Sequence, residues 1–158
     1  MFWATEPAPP MAMALLSAAD RHAQQPHLLR HLDTHDLVLA DRYYLSGLAY
    51  HAVDGIEPAL YQRLCERVRR PDAYLVLDVA PERAAQRIDR PADGYWEKPA
   101  LSARLPSSYQ RCLDLVVASE QAAVFRLDAA RPAPAVADAA YAAVTRLLIN
   151  PSLEGLSA

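Results

Sequence analysis

Glycine is scarce in this chain of 158 residues, occurring only at 47, 55, 94 and 155, and the one lysine, Lys98, is followed by Pro99. Within the chain these counts exclude a G-x-x-x-x-G-K-[ST] loop, in which backbone N–H groups cradle phosphates and a lysine bridges them. Cysteine is nearly as rare. Cys65 and Cys112 have no metal-type spacing, which argues against a disulfide framework and fits a reducing cytoplasm. No apolar run approaches the length of a membrane span, and the N-terminus has neither a basic run nor an apolar core of the signal-peptide kind. An excess of positive charge is missing too: the net charge is −3, so an electrostatic nucleic-acid binder is not expected.

The residues that are abundant describe a folded protein. Hydrophobic residues make up 53% and charged ones 22%, and the length suits one domain over residues 1–149 with a frayed tail at 150–158. With lysine almost absent, any anion grip must come from arginine forks or backbone N–H groups. Proline supplies most of the punctuation. Phe2–Thr5 is a short apolar run, Met11–Gln25 is rich in helix formers, and Pro26 can begin further helical turns through Leu32. Asp36–Ala40 (DLVLA) and Ala73–Val79 (AYLVLDV) have the character of buried strands. Helices are expected at Tyr43–His51, ended by Gly55, at Glu57–Arg70, and behind Pro81. A long helix through Ser119, bent at Pro106, should precede a strand at Val124–Leu127 and a last helix at Ala135–Ile149.

Strands alternating with helices imply an α/β fold, a parallel sheet with helices on both faces. Such sheets bind ligands at the carboxyl ends of their strands, which directs attention to Asp41-Arg42, Asp78 and Asp128. Arg42 offers a planar five-donor fork for a phosphate or carboxylate, at the point where a strand hands over to a helix. On that helix Tyr43, Ser46, Gly47 and Tyr50 recur at i, i+3, i+4 and i+7 and so share a face. Two rings, a hydroxyl and a bare backbone patch can line a slot for a flat heterocycle. A buried Asp–Arg pair among core tyrosines is the structural alternative. His27, His31 and His35 also fall at four-residue steps, but no H-E-x-x-H pattern accompanies them and no metal site is expected. Trp3 and Trp96 are expected to be packing residues.

The segment Asp41–Tyr50 (DRYYLSGLAY) resembles the DRY-x-x-S-G-x-A-[FY] segment of thymidylate kinases, which phosphorylate dTMP to dTDP with ATP and Mg²⁺. Leu15–Arg21 (LLSAADR) resembles the family's LLF-x-A-[DN]-R helix. Pro71–Ile88 (PDAYLVLDVAPERAAQRI) resembles its PD-[LV]-x-[LIV]-x-LD stretch and the Pro-Glu helix that follows. Tyr95-Trp96-Glu97 is similar to the end of the lid, and Val124–Ala129 (VFRLDA) to the final strand. The resemblance runs from about Thr5 to Leu148. It implies that Arg42 holds the monophosphate and that Asp41 works near the metal and the transferred phosphoryl. Arg21 would hydrogen-bond the base, Ser46, Gly47 and Tyr50 would contact base and sugar, and Arg87 and Arg90 would belong to the lid. Tyr109 would sit near the helix that follows the lid, with no assigned role. ATP and Mg²⁺ are implied by the resemblance alone.

Several positions depart from the family pattern. Thr5 stands for an arginine of the Arg-Glu-Pro turn, and Ser17 falls where the family has a phenylalanine that stacks on thymine. The resemblance also implies a five-stranded sheet of order 2-3-1-4-5, whose central first strand and phosphate loop have no counterpart in this chain. Asp36–Ala40 and Ala73–Val79 would then pair directly in a rearranged four-stranded sheet, or a homodimer or partner chain would fill the gap, because unpaired central edges aggregate. The leading expectation is a thymidylate-kinase-like protein that binds a nucleoside monophosphate, with its own phosphoryl transfer in doubt. The alternatives are a repurposed nucleotide-binding or interaction protein and, more remotely, a phosphomonoester hydrolase using Asp41 and Arg42.

Overall fold

A computed structural model describes residues 8–87, 101, 103–120 and 122–149. These divide into two compact units, one formed by the chain up to Arg70 together with Asp93–Asp114, the other by Pro71–Ala92 and Leu115 onward.

The first unit is built on helices. α1 spans Pro10–Leu32, with a proline at its first position where a missing N–H costs nothing. It runs through Pro26 without interruption, so the two helical pieces expected on either side of that proline are one. Arg30 and His31 in its last turn suit the negative end of the helix dipole, and the Asp33 N–H closes it by bonding the Leu29 carbonyl at 3.0 Å. α2, Tyr44–Val53, is buried on almost every side. Gly55 ends it as the sequence suggests. At φ 85° it lets the Ile56 N–H reach the His51 carbonyl (3.0 Å) and its own N–H reach Ala52 (3.1 Å), which satisfies two orphan carbonyls. α3, Pro58–Leu64, is shorter than the expected Glu57–Arg70 helix. The chain turns at Cys65, and Arg70 swings back to donate to the Cys65 carbonyl (3.0 Å) and to stack on the Tyr44 ring at 3.8 Å. Ala14 and Ala18 on α1 are buried small residues that allow close helix approach, while Tyr44, Leu48 and Tyr61 fill the centre. Full burial of each large side chain contributes about 1.5–3 kcal/mol.

Asp36–Ala40 is not a strand. The segment has no ladder partner among the described residues, and Leu37 and Leu39 are 40% and 70% exposed. Apolar composition makes a strand possible, but only a neighbour's N–H and C=O groups make one.

In the second unit β1, Ala73–Asp78, and β2, Ala123–Asp128, form a parallel pair in the register Ala73↔Ala123 to Asp78↔Asp128. The parallel α/β reading therefore holds, but the described sheet has two strands and not the four expected. α4, Pro81–Ala85, follows β1, and α6, Ala133–Ile149, packs on β2. Between them in the chain, α5 covers Leu105–Glu120, its residues up to Asp114 belonging to the first unit and the rest to the second, with Pro106 in its first turn where it starts the helix and does not bend it. Leu127 is buried while its register partner Leu77 is 60% exposed, so β1 is the less covered strand. Phe2–Thr5, Trp3, Trp96, the lid loop at 90–98 and the tail at 150–158 lie outside the described residues.

Candidate functional site

Arg42 stands two residues before α2 in a left-handed backbone conformation, φ 53°, which is costly for any residue carrying a Cβ. That kink lies between the irregular segment at 37–40 and the helix. The Arg42 carbonyl accepts a hydrogen bond from Arg21 Nη2 at 3.2 Å, so the two arginines expected at the site meet. Its guanidinium folds over α2 and donates through Nη1 to the Tyr50 hydroxyl at 2.5 Å, with the cation 5.7 Å from the ring centre. This bond holds the guanidinium above the ordinary arginine pKa, and the nearby Asp41 and Tyr109 act in the same direction. The remaining donors of the fork have no partner among the described residues. Asp41 beside it is exposed and makes no hydrogen bond to them.

Ser46 and Tyr50 face a partner for which the sequence had no assigned role. The Ser46 and Tyr109 hydroxyls are 2.7 Å apart, and the Tyr109 ring stands edge-on to Tyr50 at 6.0 Å. Burial pushes the Tyr109 phenol up, against the opposing pull of Ser46 and Arg42. Tyr109 is set on α5 by its neighbour Ser108, whose buried hydroxyl donates to the Ala49 carbonyl of α2 at 2.7 Å. No periodicity links positions 46 and 109, so only the long-range fold reveals this pair.

Arg21 is anchored on α1. Its Nη1 pairs with Asp20 at 3.0 Å and its cation lies 5.8 Å from the Tyr43 ring. Its buried Nε has no partner among the described residues. Gln25, one turn on, donates to the Tyr43 hydroxyl (2.9 Å) and accepts from the Arg69 N–H (2.8 Å), a second tie between α1 and the head of α2 that sequence reading did not find.

Gly47 has a different environment from the rest of its helix face. A Cβ there would meet the Tyr61 hydroxyl and lie 2.7 Å from Tyr61 Cζ, so its bare side is turned to α3. Ser17 is half-buried, and its hydroxyl bonds that of Tyr61 at 2.9 Å.

The other expected positions make contacts of their own. Arg87, in the second unit, donates to the Ala129 carbonyl at 2.8 Å, and Arg90 lies outside the described residues. Asp78 is paired with Arg126 at 2.9 Å, and Asp128 accepts the Ala130 N–H at 2.9 Å as a turn former. Of the histidines, His27 Nδ1 bonds Arg30 and His35 Nδ1 lies 3.1 Å from the His31 carbonyl. No group of three or more potential metal ligands occurs among the described residues.

A parallel strand pair with flanking helices in one unit, and in the other an exposed arginine fork at the head of a tyrosine-lined helix, define an α/β protein. Comparison with known proteins sharpens this class. The family model described as thymidylate kinase matches residues 4–140. The probable thymidylate kinase 1 of Saccharolobus solfataricus is 31% identical over 100 residues, 63% of this chain and 52% of that protein. The thymidylate kinase of Caenorhabditis elegans is 36% identical over 76 residues, 48% of this chain and 35% of that protein. The probable thymidylate kinase of Archaeoglobus fulgidus is 40% identical over 52 residues, 32% of this chain and 26% of that one. This chain belongs to the thymidylate kinase family. It spans about half the length, or less, of the relatives it matches.

Proposed function

We propose that the first unit carries the acceptor side of a thymidylate-kinase site and binds a nucleoside monophosphate of the dTMP type, for phosphorylation to the diphosphate with ATP and Mg²⁺. The observation that carries this reading is the Arg42 fork. It is held at one end by Tyr50 while its other donors face no described protein group, which is the arrangement a phosphomonoester needs for charge-assisted, two-pronged recognition. Tyr50, Tyr109 and Ser46 continue from it as a wall of rings and hydroxyls suited to a sugar and a flat base. Arg21, joined to the Arg42 carbonyl, stands on the opposite helix with an unpartnered buried Nε–H available to a base carbonyl.

Asp41 is an exposed carboxylate with no hydrogen bond to the described residues, a donor whose chemistry fits the hard oxygen preference of Mg²⁺. Magnesium would supply charge neutralisation for the transferring phosphoryl. The sequence holds no G-x-x-x-x-G-K-[ST] loop, so no residue of this chain is assigned to the phosphates of ATP.

Titration calorimetry of this chain with dTMP, other nucleoside monophosphates and ATP tests the reading. Micromolar dTMP binding that Arg42→Ala strongly weakens supports it. Absence of monophosphate binding overturns it, and tight Mg²⁺-dependent ATP binding by this chain alone would overturn the account of the phosphate loop.

A further inference from the structure

Three helices of the first unit meet at Tyr61, a side chain that the proposed ligand contacts do not include. It is 1% exposed, so no ligand touches it. Its hydroxyl lies between the Ser17 hydroxyl of α1 and the bare face of Gly47 on α2. Its ring packs against His51 of α2 at 5.0 Å. Ser17 and Arg21 are four residues apart on α1 and therefore share one face of it. Arg21 reaches from that face to the carbonyl of Arg42, whose left-handed backbone needs an external hold.

We propose that Tyr61 is a positioning residue for Arg42: its hydroxyl, held by Ser17 and seated against Gly47, sets the placement of α1 along α2 at which Arg21 grips the Arg42 carbonyl. The proposal rests on the reading that Arg42 takes the phosphate. A ring alone would space the helices but leave their sliding unopposed, whereas a directional bond of 2.9 Å between hydroxyls defines one register. Gly47 is bare because the hydroxyl occupies the space where a Cβ would go. The order of dependence is therefore Ser17 to Tyr61, α1 to Arg21, and Arg21 to Arg42.

The test uses the full chain with Tyr61→Phe, Ser17→Ala, the double variant, and Ser17→Thr as the conservative rescue. Two quantities are measured well below the unfolding midpoint. One is dTMP affinity. The other, without ligand, is the rate at which trypsin cuts the Arg42–Tyr43 bond relative to cutting after Arg63 in the same unit. Loss of one hydrogen bond predicts that Tyr61→Phe and Ser17→Ala each weaken dTMP binding by roughly three- to tenfold and raise the cleavage ratio by a similar factor. The double variant should match either single one, because both remove the same bond, and Ser17→Thr should resemble wild type. An unchanged cleavage ratio, or a rise in cutting after Arg63 that keeps pace, overturns the proposal whatever the affinity does. If wild type binds no dTMP, the phosphate reading falls by itself, and the cleavage ratio still decides whether Tyr61 holds the Arg42 backbone. Ser17→Ala decides the matter alone should Tyr61→Phe fail to fold.

Discussion

The hydroxyls of Ser46 and Tyr109 lie 2.7 Å apart although 63 positions separate them in the chain. Through that contact α5 supplies the far wall of a surface that begins at the head of α2. Arg42 donates to Tyr50, Tyr50 meets the edge of Tyr109, and Tyr109 returns to Ser46. The fork is thereby held at one end, and its other donors have no partner among the described residues.

If Arg42 grips a phosphate, Arg42→Ala removes at least one charge-assisted hydrogen-bond pair, worth about 1.5–3 kcal/mol. The dTMP dissociation constant should rise by roughly 10- to 150-fold in calorimetry. Arg42→Lys should fall between the two, because an ammonium keeps the charge but cannot present a planar fork.

Arg42→Gly should separate stability from binding. Glycine adopts the φ of 53° without steric cost, so chemical denaturation should show stability equal to wild type or higher by up to about 1 kcal/mol. Binding of dTMP should nevertheless weaken as much as in Arg42→Ala. Equal losses in both measurements would contradict a strained, ligand-directed arginine.

Gly47→Ala should destabilise the chain despite alanine's higher helix propensity. The added carbon meets Tyr61 in a closed interior, and overpacking of this kind costs about 1–3 kcal/mol. In a Tyr61→Phe background the penalty should be smaller but not absent, since ring carbons Cζ and Cε1 lie within 2.7 and 2.8 Å of the new atom. Urea midpoints of the four proteins give the coupling directly.

Stability should fall at both ends of the pH range. Burial lowers the His51 pKa below its ordinary 6.5, aided by Arg21 and opposed by Asp54, so the unfolded chain takes up that proton first. Its contribution is present above pH 6.5 and lost on acidification, and His51→Gln should flatten this part of the profile. Burial pushes the Tyr61 phenol from 10.0 up to about 12, so there the unfolded chain loses its proton first. That contribution is intact below pH 10 and disappears by about pH 12, an alkaline loss that Tyr61→Phe should remove.

Cys65 and Cys112 are buried free thiols, and burial raises the pKa of both. Neither should react with a thiol reagent such as dithionitrobenzoate in the native protein at pH 7.5, whereas both should react at once in denaturant. Rapid labelling of the folded chain would show that these positions open.

Much of this arrangement was legible from residue type and spacing. Pro81 starts a helix, Gly55 stops one, and the apolar runs expected at Ala73–Val79 and Val124–Leu127 fall on the paired strands. Arg42 was identifiable as a five-donor fork just ahead of a helix, although the segment that leads into it is not the strand its composition suggested. Other expectations failed for reasons that local sequence does not contain. DLVLA has a strand's composition without a partner, and the Glu57–Arg70 periodicity ends at Leu64 where Arg70 finds Tyr44.

Sequence by itself determined the order and kind of most elements and the place of an arginine at the head of a helix, because backbone preferences and hydrophobic period act over a few residues. Tertiary structure alone decided which groups that arginine meets. The Tyr50–Tyr109–Ser46 wall, the turn of Gly47 toward Tyr61, and the Arg21 bond to the Arg42 carbonyl join residues on different helices. Directional hydrogen bonds and close packing depend on three-dimensional approach, and no spacing along one chain segment encodes it.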